Sequence, residues 1–244
     1  MSTSGSTIFQ LSRDDIINAA YRKLLVLDID STANAAQLTV GTQALNAIVA
    51  TFQSLGMPLW ARKQLAVTMV SGQRDYTIGI GQTINTPFPI HVHQAVLNIP
   101  PNYSQISVTM MARQDFNLLP STSTSSSATP VNATYQPFIN YGVLSVWPTP
   151  NNSTVAGTTI TLTYQAPFQY FVASTDTPDF PQEWANALIY ALAVSLAPEN
   201  GLPLLDRQQL EKEATTHLNT ALSNGTEDGS IFFGKDWAGS SFKG

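Results

Sequence analysis

Ser12-Arg-Asp-Asp-Ile-Ile-Asn-Ala-Ala-Tyr-Arg-Lys-Leu24 and Pro181-Gln-Glu-Trp-Ala-Asn-Ala-Leu-Ile-Tyr-Ala-Leu-Ala193 stand at opposite ends of the chain, and their reading decides the fold between them. In the first, Ile16, Ile17, Ala20, Leu24 and then Leu27 recur at helical spacing and form one apolar stripe. Ser12 can cap the free N–H groups of this helix. Asp14 and Asp15 occupy its first turn and Arg22 and Lys23 its last, each where the helix dipole favours that charge. In the second, Pro181 suits a first helical turn because its missing N–H is not needed there. Glu183 lies near the positive end, Trp184, Leu188, Ala191, Leu192 and Ser195 share a face, and Pro198 ends the helix. Neither helix can bury such a stripe by itself.

Each bracket carries a second helix. One runs from about residue 33 to 55, with Leu38, Leu45, Ile48, Val49, Phe52 and Leu55 on one face and Gly56 and Pro58 as stop signals. The other covers about 204–222, with Asp206, Arg207, Glu211, Lys212 and Glu213 on its wet side and Asn224-Gly225 at its end. Between the brackets the period changes to that of strands. Residues 65–70 and 76–78 around Ser71-Gly72-Gln73 read as a hairpin, followed by strands at 92–99 and 106–111 across Pro100-Pro101-Asn102. A helical turn at 113–118, a Ser/Thr-rich loop at 121–130, and a hairpin from 135 to 147 around Asn140-Tyr141-Gly142 come next. Ile160, Leu162 and Tyr164 alternate with threonines in the last strand. Antiparallel pairing is expected throughout, because connections look too short for helical crossovers. The fold class is therefore α+β: residues 1–63 and 178–225 form a helical bundle, 64–177 an antiparallel β-rich insert, and 226–244 an extended tail.

Composition limits the chemistry. The 244 residues are enough for a sizeable core. Charged residues make up only 11%, against roughly 25% in an average domain, and Ser, Thr, Asn and Gln take their place. Such a surface suits neutral, hydrogen-bonded contact between subunits. The net charge of −5 offers no general grip on nucleic acid. The absence of cysteine excludes disulfides, thiolate metal sites and a cysteine nucleophile. Residues 1–7 lack the pattern of a signal peptide, and the nearly apolar run at 185–197 is too short to span a bilayer.

No catalytic constellation emerges. His91 and His93 lie two apart, so on a strand both would face one way, but a third ligand is missing and a solvated pair is the expectation. Asp176, Asp179 and Glu183 resemble an acid/base cluster, yet capping of the following helix explains them with fewer assumptions. No Gly-x-Ser-x-Gly elbow, P-loop or complete dinucleotide fingerprint is present. Trp147, Tyr164, Phe168, Tyr170 and Phe171 could make a sugar platform, but β-core or subunit contact is the better reading. No cofactor, metal site or catalytic residue is expected. Past Gly225, Ile231, Phe232, Phe233, Trp237 and Phe242 punctuate a Gly/Ser-rich segment, too aromatic for a solvated tail, and are expected to bind a partner.

The order of segments resembles a known family. Ser12-Arg-Asp-Asp-Ile-Ile17, Ala44-Leu45-Asn46, Gly56-Met-Pro-Leu-Trp60, Gly72-Gln-Arg-Asp-Tyr-Thr-Ile78, Leu144-Ser-Val-Trp-Pro148 and Pro181-Gln-Glu-Trp184 follow one another as in the head-to-tail adaptors of short-tailed bacteriophages, of the tail tubular protein A and tail accessory factor type. The resemblance spans about residues 11–222. It implies a structural virion protein made in the host cytoplasm: a homo-oligomeric ring, usually of twelve copies, at the head-tail junction. Such a ring would sit below the portal protein, seat the tail nozzle, and pass genomic double-stranded DNA without specific contacts or membrane association. A secreted carbohydrate-binding β module and a hydrolase are the rival readings. The first needs aromatics exposed on one sheet face, the second a pocket with convergent polar groups.

Overall fold

The computed structural model describes residues 9–54, 61–100, 104–120, 129–151 and 157–224. The protein is α+β, with five α-helices and a curled seven-stranded sheet among the described residues. Helix α1 (Arg13–Lys23) begins with a reciprocal capping box: the Ser12 hydroxyl accepts from the Asp15 amide, and the Asp15 carboxylate accepts from the Ser12 amide. Helix α2 (Ala35–Ser54) starts two residues later than its periodicity suggests. Asn34 is the reason: its side chain accepts from the Gln37 amide at 2.9 Å while Gln37 returns the same bond to the Asn34 amide. Gly41 lets α2 close on α1, since a Cβ there would stand 2.8 Å from Ile17.

At the other end, Gln182–Trp184 form a 3-10 turn that leads into α4 (Ala185–Leu196), and α5 (Leu204–Asn224) follows. The buried band of α4 is Ala187, Leu188, Ile189, Leu192, Ala193 and Leu196, while Ser195 is exposed. This band is wider than the expected stripe and turned from it, because α4 packs on α1, α2 and α5 at once. One apolar cluster runs through these four helices, with Ile17, Leu45, Val49, Leu188, Leu192 and Leu210 among its members.

The strands are β1 (Arg62–Thr68), β2 (Asp75–Ile78), β3 (His91–Ile99), β4 (Ser104–Met110), β5 (Asn132–Pro137), β6 (Gly142–Trp147) and β7 (Thr159–Gln165). They lie in the order β1-β7-β3-β4-β5-β6-β2. Two expectations are corrected here. The first two strands do not form a hairpin: β1 pairs with β7 and β2 with β6, at opposite edges of the sheet. The sheet curls, so the turn at Ser71 and Gly72, with Gly72 at φ +75°, carries the chain from one edge to the other. The Tyr76 hydroxyl accepts from the Val70 amide at 3.0 Å and ties the two edges together. The pairing is also not wholly antiparallel. Strand β5 runs parallel to β4, because the intervening connection holds α3 (Arg113–Asn117) and is long enough to cross over. The curl allows side chains from all seven strands, including Val67, Tyr76, Leu97, Val108, Ala133, Leu144 and Leu162, to share a second apolar cluster.

Helix α2 holds the segment that leaves the sheet. Asn46 accepts from the Phe171 amide at 2.9 Å and donates to its carbonyl at 3.0 Å. Gln53, two turns on along the same face, accepts from the Phe168 amide. Phe168, Phe171 and Phe180 thereby join the helical cluster rather than the β core.

Candidate assembly interface

The sequence-level candidates for chemistry do not converge. A β-bulge between Val92 and Gln94 leaves His93 outside the strand register, and the His91 and His93 rings meet edge-on with centroids 5.4 Å apart. Burial, then the charges of His91 and Arg62, hold His93 below the ordinary imidazole range. That favours a neutral ring. Among the described residues no three His, Asp or Glu side chains come together as a metal site.

The acidic residues at 176–183 serve three separate purposes, and helix capping is not the common one. Asp176 accepts from the Val172 and Ala173 amides, both at 2.7 Å. Those bonds, with Arg13 as a further charge, keep its carboxyl below the usual carboxylate range. Asp179 faces Lys63 at 3.9 Å, and Glu183 stands exposed in the 3-10 turn. No acid/base pair forms.

Nor do the aromatics make a platform. Tyr164, Phe168 and Phe171 are buried, the Trp147 indole donates to the Pro120 carbonyl at 3.0 Å, and only Tyr170 is exposed. The geometry that a sugar-binding face requires is missing from these five residues.

What the fold does display is a set of exposed large apolar side chains. One lies where α1 ends. Leu25 sits at φ +58° and is 89% exposed. Its amide bonds the Arg22 carbonyl and the next amide, of Val26, reaches back to Tyr21. This is the Schellman arrangement, in which the left-handed position is normally glycine. A leucine there costs about 1 kcal/mol of backbone strain and buries nothing in return within the subunit. Leu25 borders a cleft of mixed character with Lys23, Leu202, Asp206, Gln209 and Glu213; Leu204 and Leu205, which precede Asp206 in α5, and Ile29 are also exposed. Sequence reasoning passed over Leu25, because nothing in a Leu-Leu-Val-Leu run marks which residue takes the left-handed turn.

Others lie at the β5–β6 turn. Phe138 and Tyr141 stack at 4.9 Å, Ile139 is exposed beside them, and Gly79 packs so closely on Tyr141 that a Cβ would stand 3.0 Å away. Exposed Ile80 follows it. Where exposed apolar side chains cluster, as at this turn, they are the usual mark of protein contact. The five tail residues Ile231, Phe232, Phe233, Trp237 and Phe242 lie outside the described residues.

No helix among the described residues is long and apolar enough to cross a membrane. A family model described as SU10 adaptor protein matches residues 11–230, a range that contains every element above. Comparison with curated proteins gives no match.

Proposed function

The chain belongs to the SU10 adaptor protein family, and from that premise we propose that it is a head-to-tail adaptor whose copies assemble beneath the portal as a ring, of twelve by the family resemblance, extend the DNA channel and seat the tail nozzle. The family match carries this reading. An adaptor family is a family of structural proteins, and its place is the virion of a phage.

Several features support the finer assignment. In this reading residues 1–63 and 178–225 act as one bundle that builds the ring wall, and 64–177 form the β-rich insert it carries. The low charge of 11% suits broad neutral interfaces. The net charge of −5 suits a channel through which DNA slides rather than sticks. The strained, exposed Leu25 with Leu204 and Leu205 supplies an apolar contact for a neighbouring copy. Ile231, Phe232, Phe233, Trp237 and Phe242 supply anchors for the portal, or for a neighbour as second choice.

The test is assembly on purified portal protein, read as particle mass by light scattering. The full chain is expected to add a ring's worth of mass. Truncation after Asn224 is expected to leave the fold intact, read by the circular dichroism spectrum, while abolishing assembly. Leu25→Gly is expected to keep or raise the melting temperature, since glycine relieves the left-handed strain, and yet to weaken assembly. Unchanged assembly of both variants would defeat this account of the contacts.

A further inference from the structure

Between α2, α4 and α5 runs a groove of about 370 Å³, floored by Phe52 and walled by Ile48, Thr51, Ala191, Val194 and Leu218. Both hydroxyls in it are already engaged, and the Glu211 side chain is the charged group of its lining. The Thr51 hydroxyl donates to the Ala47 carbonyl of its own helix at 3.0 Å, and the Thr215 hydroxyl donates to the backbone carbonyl of Glu211 at 2.8 Å. With a single carboxylate and an otherwise apolar lining, the groove has no convergent set of polar groups for a polar ligand and matches an apolar side chain.

We propose that in the free subunit this groove holds Ile231, Phe232 and Phe233 of the same chain. The reach is sufficient. Leu218 lies six residues before the end of α5 at Asn224, about 9 Å along the axis. The seven residues from 225 to 231 span up to roughly 23 Å when extended, so the chain can reverse and return along the helix it has just left. Gly225 and Gly229 would allow the chain reversal that this docking requires, and Gly234 follows the anchors in sequence. A tether this short also favours its own groove over another copy's. It holds the anchors at an effective concentration on the order of 1 mM. The inference rests on the tail being a docking segment: the groove stores its anchors until a partner surface competes for them.

The chain has no cysteine, so engineered thiols report without background. Thr51→Cys with Gly234→Cys keeps all three anchors and places one thiol on the groove wall. In the full-length protein under mild copper–phenanthroline oxidation, this pair is expected to form an intramolecular disulfide, read by intact mass and non-reducing electrophoresis. At 1 µM protein it should outrun intermolecular crosslinking by about a thousandfold, the ratio of the two concentrations. A control pair, Gln105→Cys with Gly234→Cys, puts the partner thiol on exposed β4 and should give little intramolecular product. Adding Phe232→Ser and Phe233→Ser to the first pair should reduce its product to the control level without altering the helical spectrum. Dimers as the main product, equal yields from both pairs, or insensitivity to the serine changes would each overturn the inference. Portal assembly is measured separately: a crosslink with normal assembly of the truncated protein sinks the tail–portal reading alone, and loss of assembly without a crosslink sinks the groove alone.

Discussion

Gly142→Val is expected to destabilise the protein by about 2–4 kcal/mol, the sum of overpacking and a lost buried hydrogen bond. The backbone conformation is not the cause, because Gly142 has an ordinary negative φ. The cause is a ring. Tyr135 leans diagonally across the β5–β6 pair so that its phenol lies over Gly142, where any Cβ would collide with the hydroxyl and ring carbons. From that position the hydroxyl donates to the Pro89 carbonyl at 2.6 Å and fastens the β5–β6 hairpin to the start of β3. A side chain at 142 must eject the ring and break this bond. Tyr135→Ala in the valine background should therefore cost far less than the sum of the two single changes, as urea unfolding will show. Additive costs would place the ring elsewhere. Burial pushes the Tyr135 hydroxyl's ionisation well above the ordinary phenol range. A raised folded value means that its contribution is complete below about pH 10, the unfolded value, and is lost only as pH rises further.

Trp184→Ala is expected to cost about 3–5 kcal/mol, the range for deleting a buried aromatic, and to loosen helices distant from it in sequence. Trp184 is 3% exposed and makes an edge contact with Phe52 of α2 at 5.6 Å. It also meets Phe180 at 5.6 Å, and Phe180 in turn meets Phe168 at 4.8 Å. This aromatic group joins the end of α2, the segment after β7 and the entry to α4. If residues 1–63 and 178–225 act as one bundle, amide exchange in α1 and α2 should accelerate together with that in α4 and α5. Trp184→Phe, which keeps much of the apolar volume, should lose less. Unchanged exchange in α1 and α2 would argue that the two ends of the chain are stable apart.

Local signals in the sequence determined the elements themselves. Ser12 caps α1 as its place before the apolar stripe indicated, because capping involves only a few neighbouring backbone groups. Ile160, Leu162 and Tyr164 alternate in the sequence and are buried in β7, because the two faces of a strand follow from its geometry. The order of such segments, with the quoted runs from Ser12 to Trp184, was enough to reach the adaptor family. No single motif carried that reading.

Tertiary structure decided what joins what. Whether β2 pairs with β1 across a tight turn or with β6, some seventy residues away, depends on which arrangement lets both edges of a curled sheet share one core, and periodicity holds no record of it. The same applies to the parallel β4–β5 pair and to Phe168 and Phe171, drawn from the expected β core into the helical cluster by Asn46 and Gln53. The candidate interface was the least legible part. Leu25 becomes conspicuous only once it is seen both left-handed and exposed, and the α2–α4–α5 groove exists only where three helices distant in sequence leave a gap between them.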